Sequence, residues 1–393
     1  MKILIVTHEY PPIGGGGANA CMHLSKAYAE HGHQVTIVTA NYNNQPEEET
    51  TFGIKILRVN SKRKAKDHCS FKEMLSFVCK AWKITSLEVK KEMNAGHPYD
   101  ICQIFFGIPS GPIGLWLKWK YGLPYFIRFG GGDIPGFQER FQKVYGIIGP
   151  ALKIIWKNAE ALVANSEGLR EFAYAFENKY PIEIIPNGVD TNIYVPADCL
   201  STGDVEHNNK TVTILFVSRL IERKGLQFII PEFRKISEKV LAKTGKEIKL
   251  LIVGDGPYRE ALERLAKDNN SIEFIEFAGH QGKDTILSYY QRGDLFILPS
   301  KREGMPNVVL EAMACGLPIL MTPCEGSKEL IDGNGYVITT EDFSYYIEKL
   351  SINSELRFQL GERSRNLAVQ KFSWEQTAND YMKLMEKVII NSK

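Results

Sequence analysis

Two glutamates eight positions apart, Glu303 and Glu311, bracket the most informative stretch of the chain, Pro299-Ser-Lys-Arg-Glu-Gly-Met-Pro-Asn-Val-Val-Leu-Glu-Ala-Met-Ala-Cys-Gly316. Pro306 fits the first turn of a helix and Gly316 its C-cap, with Leu317-Pro318 leading into a strand. Glu303 then lies in a loop and Glu311 in the second helical turn, so both can face one ligand. Glu311 can accept hydrogen bonds from a ribose, and Glu303 can reach a hydroxylated ring lying beyond phosphates. For two arbitrary glutamates ordinary surface charge is the competing reading, but this strand-loop-helix spacing is far more specific. Ser218-Arg219-Leu220 through Lys224-Gly225 places a guanidinium and an ammonium five positions apart, directly after an apolar run ending at Val217. Two fixed cations suit a pyrophosphate leaving group, whose charge grows as its bond to carbon breaks; a solvated cationic loop is the alternative. Gly14 to Gly17 precede the first helical stretch, where unhindered N–H groups can approach a diphosphate at the positive helix end. A flexible glycine turn is the plain alternative. A dinucleotide fingerprint needs a third glycine where Asn19 stands and a shorter loop after Thr7, which argues against NAD.

These loops need a scaffold. Lys2-Ile-Leu-Ile-Val-Thr7 and Gln34-Val-Thr-Ile-Val-Thr39 are branched apolar runs separated by a helical stretch, Ala18 to Glu30, which predicts a βαβ unit. Further strands are predicted at 54–59, 101–106, 125–129, 161–164 and 182–185, then at 212–217, 249–253, 272–277, 295–298 and 318–321. The fold class is α/β, two doubly wound parallel-sheet domains in series facing a cleft, with chemistry at the carboxyl ends of the strands. The expected boundaries are 1–190 for the first domain, 191–210 for a polar linker and 211–373 for the second. Residues 374–393 form an amphipathic helix with Tyr381, Leu384, Met385 and Val388 on one face.

Length and composition agree with this. At 393 residues the chain exceeds one growing core, and 44% hydrophobic with 24% charged residues excludes a disordered or coiled-coil chain. A net charge of +2 is too balanced for a nucleic-acid binder, so no nucleic-acid partner is expected. Seven cysteines with no C-x-x-C pair predict reduced, mostly buried thiols. The apolar run at Ile3 to Val6 is too short for a secretion signal, and the expected location is the cytoplasm. The uncharged stretch 101–117 contains Pro109 and Pro112 and reads as strand, turn and helix start rather than as a membrane span.

With these residues in view, the sequence resembles the retaining, nucleotide-sugar-dependent glycosyltransferases of family 4, which have the GT-B fold of two Rossmann-like domains. The resemblance covers nearly the whole chain. It rests on the opening strand and glycine loop, Pro186-Asn-Gly-Val-Asp190, Ser218-Arg-Leu with Lys224-Gly225, Val253-Gly-Asp-Gly-Pro257, Phe277-Ala-Gly279 and the Glu303/Glu311 pair. It implies that Arg219 and Lys224 hold the diphosphate, Glu311 the ribose, and Glu303 with the backbone from Gly304 through Met305 to Asn307 the donor sugar. The loop after Gly279, beginning at His280, would meet the base, and Gly16 and Gly17 would close on the phosphates from the first domain. The C-terminal helix would cross back onto that domain.

One departure stands out. Many relatives carry a histidine after the strand at 125–129, but here the text is Arg128-Phe-Gly-Gly-Gly-Asp-Ile-Pro135. Asp133 is the candidate to orient the sugar or take the acceptor proton, with Arg128 as an anion or sugar contact; capping a turn is the alternative for Asp133. No metal is expected, because no aspartate stands two positions from another and His31/His33 read as a solvent-exposed turn. No cofactor is expected either, since the nucleotide sugar is a substrate. Residues 61–91 carry nine Lys and Arg against three acids, with Phe71, Leu75, Phe77, Val78 and Trp82 between them. That is either a solvated helix face with a core stripe or a contact with anionic lipid at the inner membrane face. The expected activity is hexosyl transfer from a UDP- or GDP-linked sugar to a hydroxyl of a carbohydrate or lipid-linked acceptor. A nucleotide-sugar 2-epimerase, a phosphorylase, an NAD-linked dehydrogenase and a non-catalytic nucleotide-sugar sensor are the rivals.

Overall fold

A computed structural model describes residues 1–66, 69–137, 142–197 and 210–392. The chain divides into two compact units, 1–187 with 374–393, and 188–373. The first unit contains β1 (Lys2–Val6), α1 (Gly16–Glu30), β2 (Gln34–Ala40), β3 (Glu48–Thr51), β4 (Ile54–Val59), α2 (Phe71–Asn94), β5 (Ile101–Phe105) and α3 (Gly107–Tyr121). It continues with β6 (Tyr125–Arg128), α4 (Gln142–Asn158), β7 (Ala161–Ala164), α5 (Glu167–Phe176) and β8 (Ile182–Ile184). The second unit contains β9 (Thr211–Val217), α6 (Ile230–Thr244), β10 (Glu247–Val253), α7 (Arg259–Asp268), β11 (Ile275–Gly279), α8 (Ile286–Gln291) and β12 (Leu295–Leu298). After these come α9 (Asn307–Ala314), β13 (Ile319–Met321), α10 (Ser327–Leu330), β14 (Gly335–Val337), α11 (Phe343–Ile352) and α12 (Ser354–Lys371). The last helix, α13 (Trp374–Ser392), belongs to the first unit.

The first sheet has eight strands in the order β3-β4-β2-β1-β5-β6-β7-β8. All neighbours are parallel except β3 with β4. Successive side chains of a strand point to opposite faces, and here both faces are covered. Leu4 and Val6 pack with Ile104 and Ile127 against Phe77, Leu117 and Trp156 of α2, α3 and α4. Ile3 and Ile5 pack with Phe105 and Phe126 against Leu24 and Tyr28 of α1 and Tyr381 and Met385 of α13. The apolar stripe of α13 is therefore part of the first unit's core. The second sheet has six strands in the order β11-β10-β9-β12-β13-β14, all parallel.

Several details differ from expectation. β3 is a polar Glu-Glu-Thr-Thr strand without apolar alternation, formed because Phe52 and Gly53 both take positive φ in a two-residue hairpin turn. The run 272–277 opens with a 3-10 turn over Ile272–Phe274, where the Phe274 N–H donates to the Ser271 carbonyl, and only then becomes β11. In the expected linker, 191–197 belongs to the second unit: Arg365 donates to the carbonyls of Thr191 at 3.0 Å and Tyr194 at 2.8 Å. Residues 198–209 of that segment lie outside the described residues. Cys21, Cys69, Cys102 and Cys315 are buried free thiols, but Cys79 is exposed.

Met385 is fully buried between α1 and the sheet. Met385→Ala removes that packing and should lower first-unit stability by about 2–5 kcal/mol, read as an earlier urea transition for Trp82, Trp116 and Trp156 fluorescence.

Candidate functional site

In each sheet one strand marks the point where connections leave in opposite directions: β1 between β2 and β5, and β9 between β10 and β12. Loops at the carboxyl ends of such strands open a crevice. In the second unit these loops lie backbone against backbone. Gly225 has φ +82° and any Cβ there would overlap the Pro299 carbonyl; a Cβ on Gly254, φ +137°, would overlap the Ser218 carbonyl. The Leu220 N–H donates to the Asp255 carbonyl at 2.9 Å and the Lys301 N–H to the Arg223 carbonyl at 2.9 Å. This packing sets the Lys224 ammonium 2.5 Å from Glu303 Oε1, and Ser300 Oγ donates to the same oxygen at 2.7 Å. Arg223 stands 3.7 Å away from it. Glu325 Oε2 accepts the Glu303 N–H at 3.1 Å, tying down the loop from behind. Lys224 is buried, whereas Arg219 is exposed on the same loop.

Glu303 and Glu311 have separate partners. Glu311, on α9, accepts a hydrogen bond from Tyr290 of α8 at 2.6 Å, and Tyr194 reaches the same carboxyl. Burial pushes the Glu311 carboxyl up to about 7, against the pull of the two tyrosine hydroxyls and Lys283. Met305 is buried, Asn307 opens α9, and the Gly304 carbonyl lies so close to Gly326 that no side chain fits there. Gly279, φ +72°, ends β11 with its carbonyl accepting the Gly254 N–H at 2.8 Å, and His280 beyond it is exposed.

The first unit's loops are held by an aromatic ring and a carboxylate. Phe106 takes φ +68°, a strained value for a bulky residue, and its ring fills the space beside Gly17 and Gly130 where side chains would overlap it. Gly17 is thus explained by packing, whether or not a phosphate approaches. Gly16 opens α1 after Gly15, an N-cap with no side-chain hydrogen bond. Asp133 is buried, and its two oxygens accept the N–H groups of Gly107 at 2.6 Å and Gly130 at 2.8 Å. Burial raises its carboxyl above the ordinary range, against those N–H groups and Arg128. The geometry therefore favours the turn-capping alternative over a proton acceptor. Arg128 is not placed as a sugar contact either. It shares the face of Phe126 by strand alternation, lies 5.0 Å over the Phe105 ring and donates to Asn187 Oδ1 at 2.5 Å.

Two residues escaped the sequence reading. His8 sits edge-on to Phe106, with ring centroids 5.0 Å apart, and burial pushes it down to about 4, so it is neutral near pH 7. Phe106 itself is the last residue of the strand predicted at 101–106, whereas β5 ends at Phe105.

Family models for "Glycosyl transferases group 1" and "Glycosyltransferase Family 4" match residues 202–367 and 14–193, and between them span both units. The chain belongs to the family 4 glycosyltransferases. This glycosyltransferase is 26% identical to an uncharacterized glycosyltransferase of Methanocaldococcus jannaschii over 98% of this chain and 99% of that one. It is 27% identical to a GDP-mannose-dependent phosphatidylinositol monomannoside mannosyltransferase of Mycobacterium tuberculosis, over 53% of this chain and 56% of the other. Among solved structures, sucrose-phosphate synthase of Thermosynechococcus elongatus superposes with a TM-score of 0.79 at 20% identity, with full coverage of both chains. Anabaena HepE, in complex with UDP and glucose, superposes with 0.69 at 18% identity, covering 98% of this chain and 100% of that one. The fold is GT-B.

Two outcomes follow for this glycosyltransferase. Glu311 is raised above its unfolded value, so its contribution to stability is full below the unfolded value and is lost as pH rises through about 7. Were a ribose to dock on Glu311, as the sequence resemblance implies, its hydroxyls would donate to the ionised form. Nucleoside diphosphate affinity, measured by calorimetry, should then rise more steeply across about one unit either side of pH 7 in the wild type than in Glu311→Gln, the shared part of the rise belonging to the ligand's own phosphate. Asp133→Ala leaves the buried Gly107 N–H, and the Gly130 N–H beside it, without their carboxylate acceptor and should cost about 1–3 kcal/mol in a denaturation curve.

Proposed function

We propose that this glycosyltransferase moves a hexosyl group from a UDP- or GDP-linked sugar to a hydroxyl of a carbohydrate or lipid-linked acceptor, with retention and without a metal. The observation that carries the reading is Lys224 held against Glu303 at the carboxyl ends of β9 and β12. A buried ammonium whose counter-charge among the described residues is a carboxylate shared with Arg223 has positive charge to offer an incoming diphosphate. On donor binding the diphosphate takes Lys224 and the exposed Arg219, freeing Glu303 to accept hydrogen bonds from hydroxyls of the sugar. Glu311 takes the ribose, Gly304 to Asn307 line the sugar, and His280 starts the loop against the base. UDP and GDP stand as equal candidates because a relative and a neighbour are named with one of each.

The bond from the anomeric carbon to the diphosphate oxygen breaks, and its electron pair leaves with the diphosphate. Lys224 and Arg219 stabilise that charge as it grows. The acceptor oxygen attacks from the face the diphosphate leaves, and its proton passes to a departing phosphate oxygen. No carboxylate of the chain is needed as a covalent nucleophile, and no cofactor enters. The reading includes a cytoplasmic location with peripheral contact at an anionic membrane; among the described residues no helix is long and apolar enough to cross a membrane.

Lys224→Ala should lower kcat by on the order of 10²–10³ and abolish thermal stabilisation by the cognate nucleoside diphosphate. An unchanged kcat removes Lys224 from the mechanism, and stabilisation by NAD alone overturns the donor assignment.

A further inference from the structure

The helices α2, α3 and α4 cover one face of the first sheet, and their own outer surface is unusual in two ways. Their sequences hold ten lysines and three glutamates, with no arginine or aspartate. All three glutamates are already engaged: Glu73 caps α2 through Ser70, Glu88 pairs with Lys55 at 2.7 Å, and Glu92 pairs with Lys2 at 2.5 Å. Acids outside the helices pair with Lys118 (Glu160, 2.6 Å) and Lys153 (Glu177, 3.2 Å), while the exposed Lys83, Lys90 and Lys157 carry no ion pair among the described residues. Eight of the nineteen large hydrophobic side chains exposed among the described residues also lie on these helices, so the apolar surface is concentrated there.

Three of those side chains, Trp82, Trp119 and Ile154, border a groove of about 320 Å³ in which every lining residue is apolar. Trp82 and Trp116 meet edge to face with centroids 4.9 Å apart, and Lys120 lies 5.1 Å over the Trp116 ring. Trp119 is 64% exposed, Ile154 48% and Trp82 42%, so the rim projects from the surface. Lys157 follows Ile154 by one helical turn on α4.

We propose that this face docks on the surface of an anionic lipid bilayer, with Trp82, Trp119 and Ile154 entering the headgroup boundary and the surrounding lysines meeting lipid phosphates. Tryptophan with flanking lysine suits such a boundary, since each ring is apolar in body with one polar N–H and each lysine can extend its ammonium outward. A second copy of the chain is a poor occupant, because a two-fold contact would press two lysine fields together. This deepens the peripheral-contact reading. The contact surface is not residues 61–91 alone but three helices, and Arg63 is withdrawn from it, being buried and paired with Glu9 at 3.2 Å. Asp67 and His68 lie outside the described residues.

The test is co-sedimentation of the full chain, without nucleotide, with vesicles of phosphatidylcholine alone or with about one third phosphatidylglycerol, at low and at high salt. Wild type should bind only the anionic vesicles and release in salt. Lys83→Glu/Lys90→Glu/Lys157→Glu should weaken binding at least about tenfold, since each of these cations faces the membrane field. Trp82→Ala/Trp119→Ala should weaken it at low salt, where wild type binds, and brominated lipid should quench wild-type tryptophan emission. Circular dichroism and nucleotide-induced stabilisation of each variant separate this from misfolding and from failure of the donor reading. Absence of wild-type binding, binding indifferent to the lysine variant, or a lipid-free dimer lost in the tryptophan variant would each overturn the proposal.

Discussion

The absence of a side chain at Gly225 lets the loop after β9 lie directly on the Pro299 carbonyl at the end of β12, and the candidate site depends on that contact. With any Cβ in place the two loops would separate by the width of a methyl group or more. Lys224 would then lose its 2.5 Å approach to Glu303, and Ser300 its hold on the same oxygen. Gly254 does the same for the loop after β10 against Ser218. Three loops from three parallel strands thereby become one surface whose cations are placed before any ligand arrives. That is the condition under which charge stabilises a departing group without reorganisation.

The first unit solves a like problem with different parts. Its loops meet around the Phe106 ring rather than around bare backbone, with Gly17 and Gly130 leaving room for it. The positive φ of Phe106 is sustained because the next N–H is held by Asp133, which also holds Gly130. One carboxylate thus closes the turn after β6 and the start of α3 together. Where a histidine would be expected in relatives, this chain uses a buried aspartate to build the loop, while a neutral histidine, His8, packs against the ring from the loop after β1.

The strands were legible because a parallel sheet buried on both faces demands unbroken apolar runs, and nearly every such run is a strand. β3 was not, since a hairpin edge strand is stabilised by its turn and by one neighbour and needs no apolar pattern. Arg128 and Asp133 show a subtler limit. Both stand at a strand's carboxyl end, where chemistry is expected, yet alternation turns Arg128 toward the Phe126 face and burial commits Asp133 to two backbone donors. Position in the sequence names the loop; it does not say whether a side chain leaves the loop or completes it.

Local patterning by itself determined the two α/β units, the parallel sheets, the loops at the carboxyl ends of their strands and the residue types in them, because period, glycine and proline act over a few residues. Tertiary structure alone decided which of those residues meet. Lys224 and Glu303 are 79 positions apart, and Glu311 is joined to Tyr290 across 21. So too, the lysines of α2 gain their meaning only when α3 and α4 lie beside them with three tryptophans between. Hydrogen bonds and charge act through distances of a few ångströms in space, and that distance exists only after the sheets have brought their loops and helices together.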